Sequence, residues 1–326
     1  MTTLRVFAAI ALTAIAVDVL TPVADIPLSG RTARFDYQSL DTAANRLYIA
    51  HMRSDQLIVF DTKRRTEIAT IEDMPGATGV WAVPELHRVY VSVTGHHHVA
   101  VLDDRTMKVV ARIGDIAFPD GIAYAPRQRK IYVSDERRGR ELVIDASGDR
   151  VRRNIEVGGE AGNTKYDPVS GRMLVAVQTH NDIAVIDPAK DSVVDRFTFK
   201  GANEPHGMLV DDRHGLLFVA NQGSGMLSVL DLRTHALLSE HRVGDDPDVL
   251  AFDAVRNLLY VAAESGVVSV FSVSGKTVAA KGELHLNKGH TVAVDPRDGL
   301  VYLPLENVNG RPVLRIMSPT VGSARH

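Results

Sequence analysis

The chain has 326 residues, 45% hydrophobic and 24% charged, with a formal net charge of −3; this is globular composition and excludes disorder, collagen and coiled coil. Lys plus Arg (37) nearly balance Asp plus Glu (40), so no global field pulls nucleic acid or an anionic membrane onto the surface. Cysteine is absent, which removes disulfides, thiolate metal sites, iron–sulfur clusters and cysteine nucleophiles together.

At the amino terminus, Val6 to Ala16 form an apolar run that follows Arg5 and ends in Ala14-Ile15-Ala16, the small-x-small pattern a signal peptidase accepts. The run is shorter than the about 20 apolar residues that cross a bilayer, so a membrane span is not expected. The expected division is a signal peptide over 1–16 and one domain over 17–326, giving a periplasmic or secreted protein; the competing reading of the run is a buried first strand. Cleavage at Ala24 would put Pro22 at the −3 position and remove residues the fold needs, so Val17 is the expected mature start.

From there the chain repeats itself. Arg46-Leu-Tyr48-Ile-Ala, Arg88-Val-Tyr90-Val-Ser, Lys130-Ile-Tyr132-Val-Ser, Arg172-Met-Leu174-Val-Ala, Leu216-Leu-Phe218-Val-Ala, Leu258-Leu-Tyr260-Val-Ala and Leu300-Val-Tyr302-Leu-Pro all read as one strand, spaced by 42, 42, 42, 44, 42 and 42 residues. Each unit runs through an apolar strand (Gly121-Ile-Ala-Tyr-Ala), a turn, the aromatic strand, a polar loop, a third strand ending in Asp, and a fourth. Asp61, Asp103, Asp145, Asp187 and Asp231 end the third strands, and turns such as Asp167-Pro-Val-Ser-Gly171 join the first strand to the second. Four-strand units of this length predict an all-β, seven-bladed β-propeller of antiparallel blades. Closure is expected in the last blade, with three strands from Leu300 to Met317 and the outer one from Ala24-Asp-Ile-Pro-Leu28. The repeated Asp residues are expected to serve turns or inter-blade hydrogen bonds, and the buried aromatics to pack between blades.

The Tyr-Val-Ala or Tyr-Val-Ser strand, the Val-Leu-Asp or Val-Ile-Asp third strand and the Pro-x-Gly-like unit starts resemble the YVTN, or YncE-like, family of bacterial seven-bladed propellers. Phe118-Pro-Asp-Gly121, Glu204-Pro-His-Gly207 and Gly289-His-Thr-Val-Ala-Val-Asp-Pro296 are similar to an exported subgroup. The resemblance covers the whole mature chain and implies a periplasmic or secreted binding protein. Its members include proposed DNA binders and redox-associated proteins, and fold does not settle function.

In such a ring, twelve residues before each aromatic lies the loop position entering the innermost strand: Asp36, Thr78, Asp120, Gly162, His206, Asp248 and His290. Four residues after it lies the neighbouring hairpin: Met52, Thr94, Glu136, Gln178, Gln222, Glu264 and Glu306. Both rings share one face. His206, Asp248, His290, Glu264, Asp120 and Glu136 are therefore candidate metal ligands; imidazole and carboxylate suit zinc, nickel, iron or manganese, and an all-oxygen set with Asn163 suits calcium. The plainer reading is that these side chains cap their own loops. Gly95-His-His-His98 lies in a hairpin on the same face, but adjacent residues of an extended segment point apart; His51 and His180 occupy comparable hairpins.

Three functions compete. The favoured one is a non-enzymatic exported propeller that binds a metal ion, small ligand or protein partner, since no Gly-x-Ser-x-Gly elbow, His-Glu-x-x-His or phosphate loop is present. The second is a metal-dependent hydrolase or lyase, resembling in position the channel mouth of streptogramin lyase: a divalent ion at His206, Asp248 and His290 would polarise a lactone or ester carbonyl, with Glu264 or Glu306 as catalytic base. The third is DNA binding through Lys63-Arg-Arg65, Arg137-Arg-Gly-Arg140 and Arg150-Val-Arg-Arg153. These clusters lack the interleaved aromatics that stack on bases, so nucleic acid is not the expected partner, and a monomer is the expected state.

Overall fold

The computed structural model describes residues 19–320; the signal peptide expected over 1–16 lies outside them. The described residues form 28 strands in seven four-stranded antiparallel sheets. Among the described residues helix is confined to single 3-10 turns, and none is long and apolar enough to cross a membrane.

The blades follow the period. Blade 1 runs through Gln38–Asp41, Arg46–His51, Gln56–Asp61 and Thr66–Ile71, and blade 2 through Ala77–Val83, Arg88–Val93, His98–Asp103 and Lys108–Gly114. Blades 3 to 6 have their innermost strands at Pro119–Ala125, Ala161–Asp167, Pro205–Asp211 and Pro247–Asp253. In the last blade the innermost strand is the short Ala293–Val294, so Leu300–Met317 supplies parts of two strands, Val301–Val308 and Arg311–Pro319, where three were expected. The outer strand is Leu20–Pro27, longer than expected and beginning nearer the amino terminus. It pairs antiparallel with Arg311–Pro319, from Leu20 opposite Pro319 to Pro27 opposite Val313, and is clamped by the two-pronged Arg315–Asp25 ion pair at 2.6 and 2.8 Å.

Packing between blades fills the interior. Tyr48, Tyr90, Tyr132, Phe218, Tyr260 and Tyr302 are fully buried large contacts, and each tyrosine among them keeps one polar atom to place. The Tyr90 hydroxyl donates to Asp149 of the next blade at 2.8 Å, and Tyr132 donates likewise to Asp191 at 2.9 Å. The Asp residues ending third strands accept backbone N–H groups two or three residues on, as Asp103 does from Arg105 and Thr106 and Asp231 from Arg233 and Thr234. They are turn residues, as their repetition predicts.

Two recurrent bulges shape the blades. One lies in the outer pair, for example between Val59 and Phe60, and turns Ile68, Val110, Val194 and Leu238 outward around the rim. The other breaks the innermost pair at its entrance, between Ala77 and Val80, Pro119 and Ile122, Ala161 and Thr164, and Pro205 and Met208. A bulge re-aims the side chains it carries. Here those are Thr78, Asp120, Gly162 and His206, members of the first predicted ring. The same break brings adjacent blades so close that a Cβ on Gly207 would lie 1.9 Å from the Asp248 carbonyl oxygen, and one on Gly79 2.0 Å from that of Asp120.

Candidate functional site

The entrance bulges surround a cavity of about 240 Å³ at one mouth of the central channel. Its lining includes Asp36, Thr78, Asp120, His206 and Asp248 from the first ring and Met52, Glu136, Gln178, Gln222 and Glu264 from the second, so the register read from the repeat holds in space.

His206 is at its centre, 7% exposed. Its Nε2 lies 3.2 Å from Asp248 Oδ1 and 3.8 Å from Asp120 Oδ2, and its Nδ1 sits against the side-chain amide of Gln178. Gly162 makes room for the ring, since a Cβ there would come within 2.8 Å of Nδ1. Tyr37, one residue after Asp36, reaches across the channel: its hydroxyl donates to Asp248 Oδ1 at 2.9 Å, accepts from Asn163 Nδ2 at 2.6 Å and lies 3.2 Å from His206 Nε2. Tyr37, Asn163, His206 and Asp248 thus join blades 1, 4, 5 and 6 in one hydrogen-bonded belt.

The belt fixes charge. Burial opposes a charged His206, but the hydrogen bond and charge of Asp248, with Asp120 and Glu136, raise it to about 9. Burial alone would push Asp248 up; the His206 hydrogen bond and charge and the Tyr37 hydroxyl hold it down at about 2. The pair is an imidazolium and a carboxylate at neutral pH. With the Gln178 nitrogen facing the ring, Nδ1 accepts and Nε2 carries one proton; turning that amide over presents its oxygen and lets the ring keep both. The second pair at the mouth is Arg34 with Glu264, 2.5 Å apart.

Three lining carboxyls are left without a cation of their own. Asp36, 3% exposed, is pushed well up by burial, which the Arg34 guanidinium 4.0 Å away offsets only in part, and its Oδ1 has no hydrogen-bond partner. Asp120 is raised to about 6 by burial and the Asp248 charge, against the pull of His206. Glu136 is raised to about 8 by burial, by Asp120 and by a hydrogen bond with Glu160.

Among solved structures, the chain is similar to one titled Kuenenia stuttgartiensis Hydrazine Synthase, with a TM-score of 0.73 at 14% identity over 94% of this chain and 99% of that one. The likeness is one of fold. No family model and no curated protein matches this sequence.

The remaining candidates fall outside the cavity. His290 is buried but does not line it; the ring is held by the Phe35 backbone, its Nε2 has no partner, and burial with the Arg34 charge lowers it to about 4. Glu306, half-buried on Val301–Val308, reaches the group only through its charge on His290. Glu264 does line the cavity but is engaged by Arg34. Among the described residues no three His, Asp or Glu side chains are arranged to hold one metal ion. In the His run, His97 takes a left-handed turn conformation and hydrogen-bonds the Ala117 carbonyl at 2.9 Å, while His96 stacks on His98. His51 stacks on Phe35 at 3.9 Å. Of the basic clusters, Arg138 pairs with Asp115, Arg140 with Asp135 and Arg152 with Asp191, and Arg137 lies over the Phe118 ring.

Register reasoning missed Tyr37 and Arg34, and named Asn163 only as a possible calcium ligand, where it instead donates to the Tyr37 hydroxyl. Tyr37 had a signal: the position after the ring residue is Gly79, Gly121 and Gly207 in blades 2, 3 and 5, so an aromatic there is out of pattern.

Proposed function

We propose that the protein is an exported binding propeller of the YncE-like kind, periplasmic or secreted, whose carboxyl-rich mouth takes a cationic small ligand. The observation that carries this reading is the charge left at the mouth. His206 with Asp248 and Arg34 with Glu264 cancel, while Asp36, Asp120 and Glu136 line the same cavity, each raised by burial. A bound organic cation would let these carboxyls ionise and would supply the hydrogen-bond donor that Asp36 Oδ1 lacks. An amine fits better than a first-row metal ion, because His206 would first have to give up a proton held to about 9 and its contact with Asp248.

The test is thermal unfolding of the mature, untagged protein with putrescine, against sodium chloride at equal ionic strength. Putrescine should raise the midpoint by several degrees, and the rise should vanish in the Asp36→Asn, Asp120→Asn double variant. Equal effects of salt and diamine would overturn the reading.

A metal-dependent lactonase or lyase is the second reading, supported by two buried atoms without hydrogen-bond partners, His290 Nε2 and Asp36 Oδ1, of which the second lines the cavity. It requires Glu264 to leave Arg34 before acting as base, or Glu306 to serve. Elemental analysis decides it: a stoichiometric transition metal that is lost in the His206→Ala, His290→Ala double variant would put this reading first.

A further inference from the structure

A larger cavity, about 560 Å³, opens at the opposite end of the channel, and its character is different. It is lined by the far halves of the innermost strands of blades 2 to 6, among them the aromatic Trp81, Tyr124 and Tyr166 and the apolar Leu209 and Leu250. Tyr37 and Asp248 line both cavities, so the hydrogen-bonded belt is the partition between them.

One cation, Lys165, lies in this apolar surround. Its Nζ is 5.8 Å from the centre of the Trp81 ring, and among the described residues it forms no ion pair and no hydrogen bond; burial lowers it to about 8, and the more distant charges of Asp248 and Asp120 offset this only in part. The inner carboxylate, Asp248, is engaged by His206 and Tyr37, and the remaining lining acid, Asp212, is exposed at the outer edge. The fold does not require a lysine here. At the same register the other innermost strands carry Ser39, Trp81, Ala123, Leu209, Ala251 and Ala293. An ammonium held among aromatic and aliphatic side chains without a counter-ion in contact is unfavourable for the free protein, and a ligand anion reduces that penalty. Apolar, aromatic-lined concavities of a few hundred Å³ with one fixed polar group are the usual form of small-molecule sites.

We propose that this mouth is a second ligand site, which takes an aromatic monocarboxylate: the carboxylate on Lys165, the ring against Trp81, Tyr124 and Tyr166, and the apolar stem over Leu209 and Leu250. The site lies on the other side of the belt from the carboxyl-rich mouth.

The protein carries its own reporter. Trp81 is the single tryptophan of the chain, so intrinsic emission reads this cavity alone. The experiment titrates the mature protein with 3-phenylpropionate and, separately, with its primary amide at constant ionic strength. A saturable change in emission is expected for the acid, with the amide at least about ten-fold weaker, since one charge-assisted contact is worth a factor of this size. Lys165→Met should weaken the acid by a similar factor and leave the amide unchanged, and Lys165→Arg should retain the preference for the acid. Acid and amide of equal affinity, no saturation by either at about 10 mM, where binding would be weaker than any specific site, or an acid affinity indifferent to Lys165→Met would each overturn the proposal. Should Lys165→Met not fold, as judged by circular dichroism, the comparison of acid with amide on the unaltered protein decides alone.

Discussion

The two mouths of the channel are built from the same strands, a few residues apart, and hold opposite chemistry. The entrance end gathers carboxyls around an imidazolium and a guanidinium; the exit end gathers aromatics around a lone ammonium. The difference comes from position within the strand. Entrance residues sit on bulges, where the ladder is already broken and a polar side chain can turn inward without leaving backbone groups unpaired. Exit residues sit on regular strand, where inward positions favour apolar groups that pack. Specificity at one end is therefore electrostatic and at the other mostly a matter of shape, with Lys165 as the exception that selects.

This contrast can be broken most sharply at Asp248. Asp248→Ala leaves a buried, protonated His206 without its counter-ion and Tyr37 without its acceptor, and should cost about 3–5 kcal/mol in denaturant unfolding. A loss below about 1 kcal/mol, the range of an exposed pair, would mean that the belt is not the partition described.

A second measurement is the dependence of the thermal midpoint on pH. Folded Asp120 and Glu136 keep their protons to about 6 and about 8, and His206 keeps its proton to about 9. Unfolded, the carboxyls lose theirs near about 4 and the imidazole near about 6.5. All three bind more protons folded than unfolded over parts of that window; His290 and His51, lowered to about 4, act in the opposite sense below about 6.5, so the fall in stability with rising pH should show from about 6.5 to about 9. Asp248 works in the other direction, losing its contribution as pH falls from about 4 to about 2. The midpoint should be several degrees higher near about pH 6.5 than near about pH 9. Glu136→Gln should flatten the upper part of that slope, and a curve of the same shape in this variant would remove Glu136 from the account.

The smallest effect separates the two ends by sign. Lys165→Met replaces an unpaired ammonium in an apolar setting with a side chain of similar length, and should leave stability unchanged or raise it by about 1 kcal/mol. A loss of the size expected for Asp248→Ala would show that Lys165 has a structural partner.

Much of this molecule was legible because a repeat is its own alignment. The spacing of Tyr48, Tyr90 and their equivalents gave blade number, strand order and the lining of one mouth, since every blade places the same offset at the same height. Register says nothing about contacts that cross the ring. Tyr37 reaching Asn163, His206 and Asp248 depends on the width of the channel, and Arg34 drawing Glu264 away depends on side-chain reach. His290 shows the converse: it occupies the ring position, yet its blade has an innermost strand of only Ala293–Val294, and the residue points into packing around Phe35. The exit cavity has no loop signature: Lys165 sits within a strand, at a register that elsewhere holds Ser39 and five apolar residues.

Strand Leu20–Pro27 finds its partner about as far along the chain as two segments can lie, with Asp25 and Arg315 separated by 290 positions. Six blades can assemble from neighbours in sequence; the seventh needs both extremities together. Until they meet, Arg311–Pro319 offers a bare edge to any passing strand, a hazard for association between copies. Sealing the circle is thus the slow, entropy-limited event of folding, and a chain arrested before it would be open to mispairing at its seam.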